Sequence, residues 1–214
     1  MTLTLSSYHS GKMESNTTKW IAHSSLIGIR LRKNSTQNTE STYSTEFIIW
    51  ARKCEKVAHK YNYELMKKLN DDKQMTDVWR LPAIGRWEKS CGKHPTQKPL
   101  SVLTRIILSC TDKGDWILDP FSGSSTTGIA ACLCDRRFAG IEQSEEFCQM
   151  SKARREELDN VGVKADLKRH IVDFKTLESS GQLDLFDEDN GMVCEDCDVM
   201  YGLLPFDTKP MKQT

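Results

Sequence analysis

The sequence predicts an α/β fold, and three observations carry that prediction. A short apolar run, Trp116 to Leu118, ends in Asp119-Pro120 and a turn of small residues, giving WILDPFSGSSTT from Trp116 to Thr127. A helical apolar pattern, Leu100 to Cys110, precedes it, and a second short strand, Arg137 to Glu142, follows. Strand and helix patterns in alternation place helices against a sheet. Trp116, Ile117 and Leu118 suffice to finish a buried strand, and proline then stops it because it has no N–H for a sheet ladder. Gly123 supplies the tight turn. Ser124, Ser125, Thr126 and Thr127 offer N-caps for a helix through Ile129, Ala130, Ala131 and Leu133. Such a turn brings backbone N–H groups and the positive end of a helix dipole towards a ligand. Glu142 ends the second strand 142 − 119 = 23 positions after Asp119, near the spacing at which a carboxylate reaches ribose hydroxyls.

Two nucleotide motifs fail on this turn. Gly123 and Gly128 match the glycines of a P-loop, but Ile129-Ala130 stands where Lys-Ser/Thr is required. The dinucleotide pattern G-x-G-x-x-G fails at Ser125, where its second glycine belongs. The ligand expected is a nucleoside without a pyrophosphate.

Three segments in order, HPTQKP (His94 to Pro99), DPFSGSSTT (Asp119 to Thr127) and GIE (Gly140 to Glu142), resemble the permuted amino-methyltransferases of bacterial restriction–modification systems. The resemblance covers roughly residues 45–158, with Ser125 where glycine is commonest in the family. EFIIWARK, YNYELMKKLN and KQMTDVW look like its adenine-specific branch. It implies the S-adenosylmethionine-dependent methyltransferase (Rossmann-like) fold, S-adenosylmethionine as cofactor and double-stranded DNA as substrate. It also implies a cofactor site made of His94, Thr96, Gln97, Lys98, Asp119, Pro120, Phe121, Gly123, Ser125, Thr126, Thr127 and Glu142. Lys98 is the strongest candidate for the methionine end of the cofactor.

Taken from its start, the chain of 214 residues suits one domain with tails. Residues 1–44 are rich in Ser, Thr and Asn and loop-like, with room for one short element from Trp20 to Leu31. Glu46 to Ala51 is β-branched and aromatic, a strand. Tyr61 to Leu69 is helical in pattern, Thr76 to Pro82 extended, and Ile84 to Cys91 basic and loop-like. Residues 45–158 form the expected methyltransferase domain, with a DNA-facing insertion at about 57–93 and a cofactor-binding part at 94–158. Within the insertion Lys73, Arg80, Arg86, Lys89 and Lys93 are the candidate phosphate contacts, with Trp79 or Trp87 available to sugar or base. Spacing alone makes solvated charges and core tryptophans the commoner outcome.

Leu100, Leu103, Ile106, Ile107 and Cys110 fall on one helical face, and Thr96 with Pro99 in the first turn is the expected entry. After Glu142, Ser144 caps a helix running to about Leu158, with acidic residues in its first turn. Residues 159–214 are expected as an acidic tail. Cys194 and Cys197 have metal-ligand spacing but no second pair and no nearby histidine, so no metal is expected.

Charge is zero overall but asymmetric. Residues 1–99 hold 17 Lys+Arg against 9 Asp+Glu, and residues 100–214 hold 13 against 21. A basic half beside a cofactor half fits a polyanionic substrate. A mean hydropathy of −0.54 and the lack of a long apolar run argue against a membrane span, and eight scattered cysteines fit a reducing cytoplasm.

The family's catalytic tetrapeptide, Asp/Asn/Ser-Pro-Pro-aromatic, is absent, since no two of the six prolines are adjacent. In the permuted order it precedes the cofactor motifs. The chain is therefore expected to be the C-terminal part of a longer methyltransferase, with an incomplete sheet, inactive alone and completed by a missing N-terminal half or in a homodimer. The alternative is a non-catalytic cofactor- or DNA-binding subunit of a split enzyme. A methyltransferase for RNA or small molecules on the same fold is a third reading that fold logic leaves open.

Overall fold

The computed structural model describes residues 21–31, 45–52, 58–92, 94–95, 97–180 and 199–202. Two three-stranded sheets organise them. The first contains β1 (Ile21–Leu31), β2 (Thr45–Arg52) and β3 (Val78–Leu81) in the order β2-β1-β3. β1 pairs antiparallel with β2 and parallel with β3, so Phe47 and Val78 flank Gly28 in one row. The second contains β4 (Trp116–Asp119), β5 (Arg137–Ile141) and β6 (Val199–Gly202), all parallel, in the order β4-β5-β6. The helices are α1 (Tyr63–Lys68), α2 (Leu100–Cys110), α3 (Thr126–Leu133), α4 (Glu145–Glu157), α5 (Val161–His170) and α6 (Val172–Ser179).

α2 occupies the range its periodicity predicts, yet its burial is not confined to one face: every residue from Leu100 to Ser109 is buried. α1, α3 and α6 all pack against it. Its polar members are met internally. The Ser109 hydroxyl donates to the Ile106 carbonyl at 2.7 Å, and Arg105 Nε donates to both carboxylate oxygens of Asp173 on α6, at 3.0 and 3.2 Å. The helix also starts differently. Pro99 is the N-cap residue rather than a first-turn residue, and the Leu100 N–H donates to the Glu88 carboxylate at 2.7 Å. A side chain twelve positions away does the capping, which no local pattern announces; Thr96 lies outside the described residues.

The region from 159 onwards corrects the expectation of a tail. α5 and α6 follow almost at once, with Ile171, Phe174 and Leu177 buried at intervals of three and Asp173 fully enclosed. Its acidic composition masked the structural use of that carboxylate, which neutralises Arg105. β6 then adds a parallel strand to the far side of β5. Cys194, Cys197 and the remainder of the acidic stretch lie outside the described residues. Upstream, β1 runs for 11 residues where one short element was expected. The loop-like stretch at 84–91 holds a 3-10 turn, Arg86–Lys89.

Each sheet pairs a buried residue with exposed apolar neighbours among the described residues. Ile117 and Ile48 are buried, while their neighbours Trp116, Leu118, Phe47 and Ile49 are 41, 37, 56 and 62% exposed. Side chains alternate between faces along a strand, so both sheets bury one face and leave apolar groups on the other.

Candidate functional site

The site grows from the end of β4. Thr127 donates its hydroxyl to Asp119 Oδ2 at 2.6 Å, and the Phe121 N–H donates to Oδ1 at 3.1 Å. Burial holds the Asp119 carboxyl above its ordinary range, and these two hydrogen bonds oppose that shift. The chain then reverses through two left-handed residues, Gly123 (φ +52°) and Ser125 (φ +56°). Glycine is required at the first. A Cβ there would stand 3.0 Å from His94 Nε2 as well as being strained. Ser125 takes a conformation glycine would adopt freely, at a cost of about 1–2 kcal/mol. Its N–H closes the turn on the Ser122 carbonyl at 2.7 Å.

α3 begins at Thr126, and the N–H groups of its first turn have no acceptor within the helix. Thr126 and Thr127 of that turn line a cleft of about 140 Å³. His94, Gln97, Lys98 and Leu103 form one wall; Asp119, Phe121 and the Ser122–Thr127 turn form the other. His94 packs edge-on against Phe147 at 4.3 Å between ring centroids, and burial lowers its pKa, favouring the neutral imidazole. Lys98 Nζ donates to Glu46 Oε2 of β2 at 2.7 Å, bridging the first sheet to the cleft. The Ser122 hydroxyl is buried in the cleft wall with no hydrogen-bond partner. A buried hydroxyl left this way costs roughly 1–3 kcal/mol.

Eight of the twelve sequence-predicted cofactor residues line this cleft: His94, Gln97, Lys98, Asp119, Phe121, Gly123, Thr126 and Thr127. Ser125 is fully buried beneath the turn, and Pro120 is not on the wall. Glu142 is not on the wall either. Its carboxylate accepts from the N–H groups of Gly123, Gln143 and Ser144 at 2.7, 2.8 and 2.9 Å, tying the end of β5 to the glycine turn. Leu103, Ser122 and Ser124 line the cleft without having been among the predicted cofactor residues. Leu103 looked like any other apolar residue of a helical face, and Ser122 fills a variable position of the motif.

The basic candidates differ in exposure. Lys73, Arg80 and Arg86 are exposed, Lys89 is half-buried, and Lys93 lies outside the described residues. Trp79 is a core residue, 3% exposed, its indole donating to the Thr76 carbonyl at 3.0 Å. Trp87 is half-buried and stacks on His170 at 4.9 Å. Among the described residues no group of histidine, cysteine and carboxylate side chains is arranged for a metal ion. No helix there is long and apolar enough to cross a membrane.

A β–turn–α unit whose glycine turn is pinned by the acidic residue following the next strand fits the α/β methyltransferase fold expected from the sequence. The sequence model of the N6/N4 DNA methylase family matches residues 10–153, and this chain belongs to that family. It is 62% identical over 130 residues to the type II methyltransferase M2.MboI of Moraxella bovis, covering 61% of this chain and 47% of that protein. It is 34% identical over 163 residues to M.HinfI of Haemophilus influenzae, covering 70% of this chain and 45% of that one. The chain thus spans about half the length of the curated relatives it matches. Among solved structures, the complex of M1.HpyAVI with S-adenosylmethionine superposes with a TM-score of 0.51 at 34% identity over 60% of each chain. The cytosine-N4-specific PvuII methyltransferase, with a TM-score of 0.50 at 18% identity, shares the fold.

Proposed function

We propose that this chain is the cofactor-binding portion of an S-adenosylmethionine-dependent DNA adenine methyltransferase of a restriction–modification system. The observation that carries the reading is the meeting of the two motif segments. The HPTQKP segment supplies His94, Gln97 and Lys98 to one wall, and the DPFSGSSTT turn supplies the other. They close so nearly at His94 and Gly123 that a Cβ on Gly123 would stand 3.0 Å from His94 Nε2. When bound, S-adenosylmethionine supplies an electrophilic methyl group. Lys98 and the first-turn N–H groups of α3 suit its carboxylate.

Catalysis also needs an extruded base held in line with that methyl group, its amino nitrogen polarised by nearby acceptors. No Pro-Pro tetrapeptide exists in this sequence to do so. The base-binding element would then lie on a second polypeptide segment that bears the tetrapeptide, which another copy of this chain does not. The exposed apolar residues Phe47 and Ile49 of the first sheet and Leu118 of the second support such a partner. Double-stranded DNA is the substrate, with Lys73, Arg80 and Arg86 exposed for phosphate contacts, and the enzyme works in the cytoplasm.

Calorimetry with S-adenosylmethionine and transfer of labelled methyl to DNA test this directly. The chain alone should bind cofactor and transfer nothing above background. Adding a polypeptide that bears the tetrapeptide should produce N6-methyladenine. Robust transfer by the 214-residue chain alone would overturn the proposal. Cofactor binding with no transfer after complementation would favour a non-catalytic binding subunit.

A further inference from the structure

The glycine turn is gripped from behind by α4. Ser151 donates its hydroxyl to the Gly123 carbonyl at 2.9 Å. Arg154, 7% exposed, donates Nη1 to the Ser124 carbonyl at 2.5 Å and to Thr126 Oγ1 at 3.3 Å. The two residues lie three positions apart, on one face of the helix. Behind the turn Arg154 shares a small cavity of about 20 Å³ with the buried carboxylate of Glu88. Glu88 in turn holds the opposite wall: its carboxylate takes the Leu100 N–H at 2.7 Å, and its carbonyl takes Gln97 Nε2 at 2.8 Å.

The grip has a consequence for the cleft. In a trans peptide the C=O and N–H point in opposite directions. With the Gly123 carbonyl drawn back onto Ser151, the Ser124 N–H of the same peptide is directed away from α4, on the cleft side of the turn. The other turn donors are spent, Gly123 N–H on Glu142 and Ser125 N–H on the Ser122 carbonyl. The described residues offer no acceptor for the Ser124 N–H. Gly123, at φ +52°, lacks the Cβ that would oppose a peptide flip. A flip would put a carbonyl oxygen where the N–H now stands, facing any anionic group beside Lys98.

We infer that Ser151 is a positioning residue that locks the Gly123–Ser124 peptide with its N–H towards the ligand's carboxylate, and that Arg154 supports it by fixing the following Ser124–Ser125 peptide through the Ser124 carbonyl. The inference rests on the S-adenosylmethionine reading and adds a pair outside the cleft walls to the machinery of that site. The lock acts on the amino-acid end of the ligand and not on its nucleoside end. A purely structural role would weaken both equally.

The test measures affinity for S-adenosylmethionine and for adenosine in the full chain and in Ser151→Ala, Arg154→Lys and Arg154→Met. Ser151→Ala and Arg154→Met are expected to bind S-adenosylmethionine about tenfold more weakly, the effect of one charge-assisted hydrogen bond, with adenosine affinity unchanged. Arg154→Lys keeps a donor within reach of the Ser124 carbonyl and should recover part of the loss. Should Arg154→Met fail to fold, Ser151→Ala and Arg154→Lys carry the comparison. Wild-type affinity in Ser151→Ala, or an equal loss for both ligands, overturns the inference. A wild-type chain that binds neither ligand overturns the cofactor reading itself, and this inference falls with it.

Discussion

The two sheets of this protein are held in different ways. Around β4 and β5 the polar groups are consumed internally: Glu142 takes three N–H groups, Asp119 takes two donors, and Ser151 and Arg154 hold the turn carbonyls. The β2-β1-β3 sheet buries Ile48, Trp79 and Leu81 on one side and leaves Phe47, Ile49 and Val78 open on the other. Its ionic link to the cleft is Lys98 to Glu46. The first arrangement over-determines a geometry, as a ligand site requires. The second is a hydrophobic layer with one side finished. Precision of the site therefore depends on the polar lattice around β4, and the outer sheet contributes burial more than shape.

Four measurements sharpen that contrast, in falling order of effect. The largest is Arg105→Met, which leaves the fully buried Asp173 carboxylate unpaired. Breaking such a pair costs about 3–5 kcal/mol, visible as a shifted midpoint in denaturant unfolding. A loss below about 1 kcal/mol would mean that α6 is not a working part of the core.

Next comes Glu142→Ala, which strips three N–H groups of their acceptor. A loss of roughly 1–3 kcal/mol is expected, with weaker S-adenosylmethionine binding in calorimetry. Stability and affinity both unchanged would show that the turn does not depend on this carboxylate.

The third concerns Asp119 and pH. Burial raises its carboxyl above the ordinary aspartate range, so the folded chain binds this proton more tightly than the unfolded chain does. Its contribution to stability therefore falls as pH rises from the ordinary aspartate range through the raised folded value. Acidification across that window restores it. Asp119→Asn keeps an acceptor for Thr127 and should flatten this part of a Tm-against-pH curve. A mutant curve parallel to wild type would contradict the assignment.

The smallest effect belongs to the other sheet. Ile49→Thr, at a position 62% exposed on an edge strand, should change stability of the isolated chain by no more than about 0.5 kcal/mol. The same substitution should weaken association with a complementing polypeptide, if that face is where it docks. A large loss of stability in the chain alone would mean that the face is already covered.

How much was legible beforehand follows from the range of the interactions. α2, β4, α3, β5 and α4 stand where apolar periodicity, Asp-Pro, Gly123 and Ser144 place them, because strand ends, turns and caps are decided within a few residues. The eight cleft residues that the motifs named came together for the same reason: each motif spans one turn and one helix start. Other features hinge on contacts far apart in sequence, and these only the tertiary structure decided. Glu88 caps α2 from twelve residues upstream, and Asp173 neutralises Arg105 from sixty-eight residues downstream. Each looks like an ordinary surface charge until its partner is known. The tail becomes two helices and a strand because Ile171, Phe174 and Leu177 find α2, and Val199–Gly202 finds β5. The sequence alone determined the class of ligand turn and its motifs. Which charges lie inside was settled by desolvation, since a charge becomes worth burying only once its partner is in place; that Glu142 serves the backbone rather than the cleft wall was settled by where the glycine turn lies.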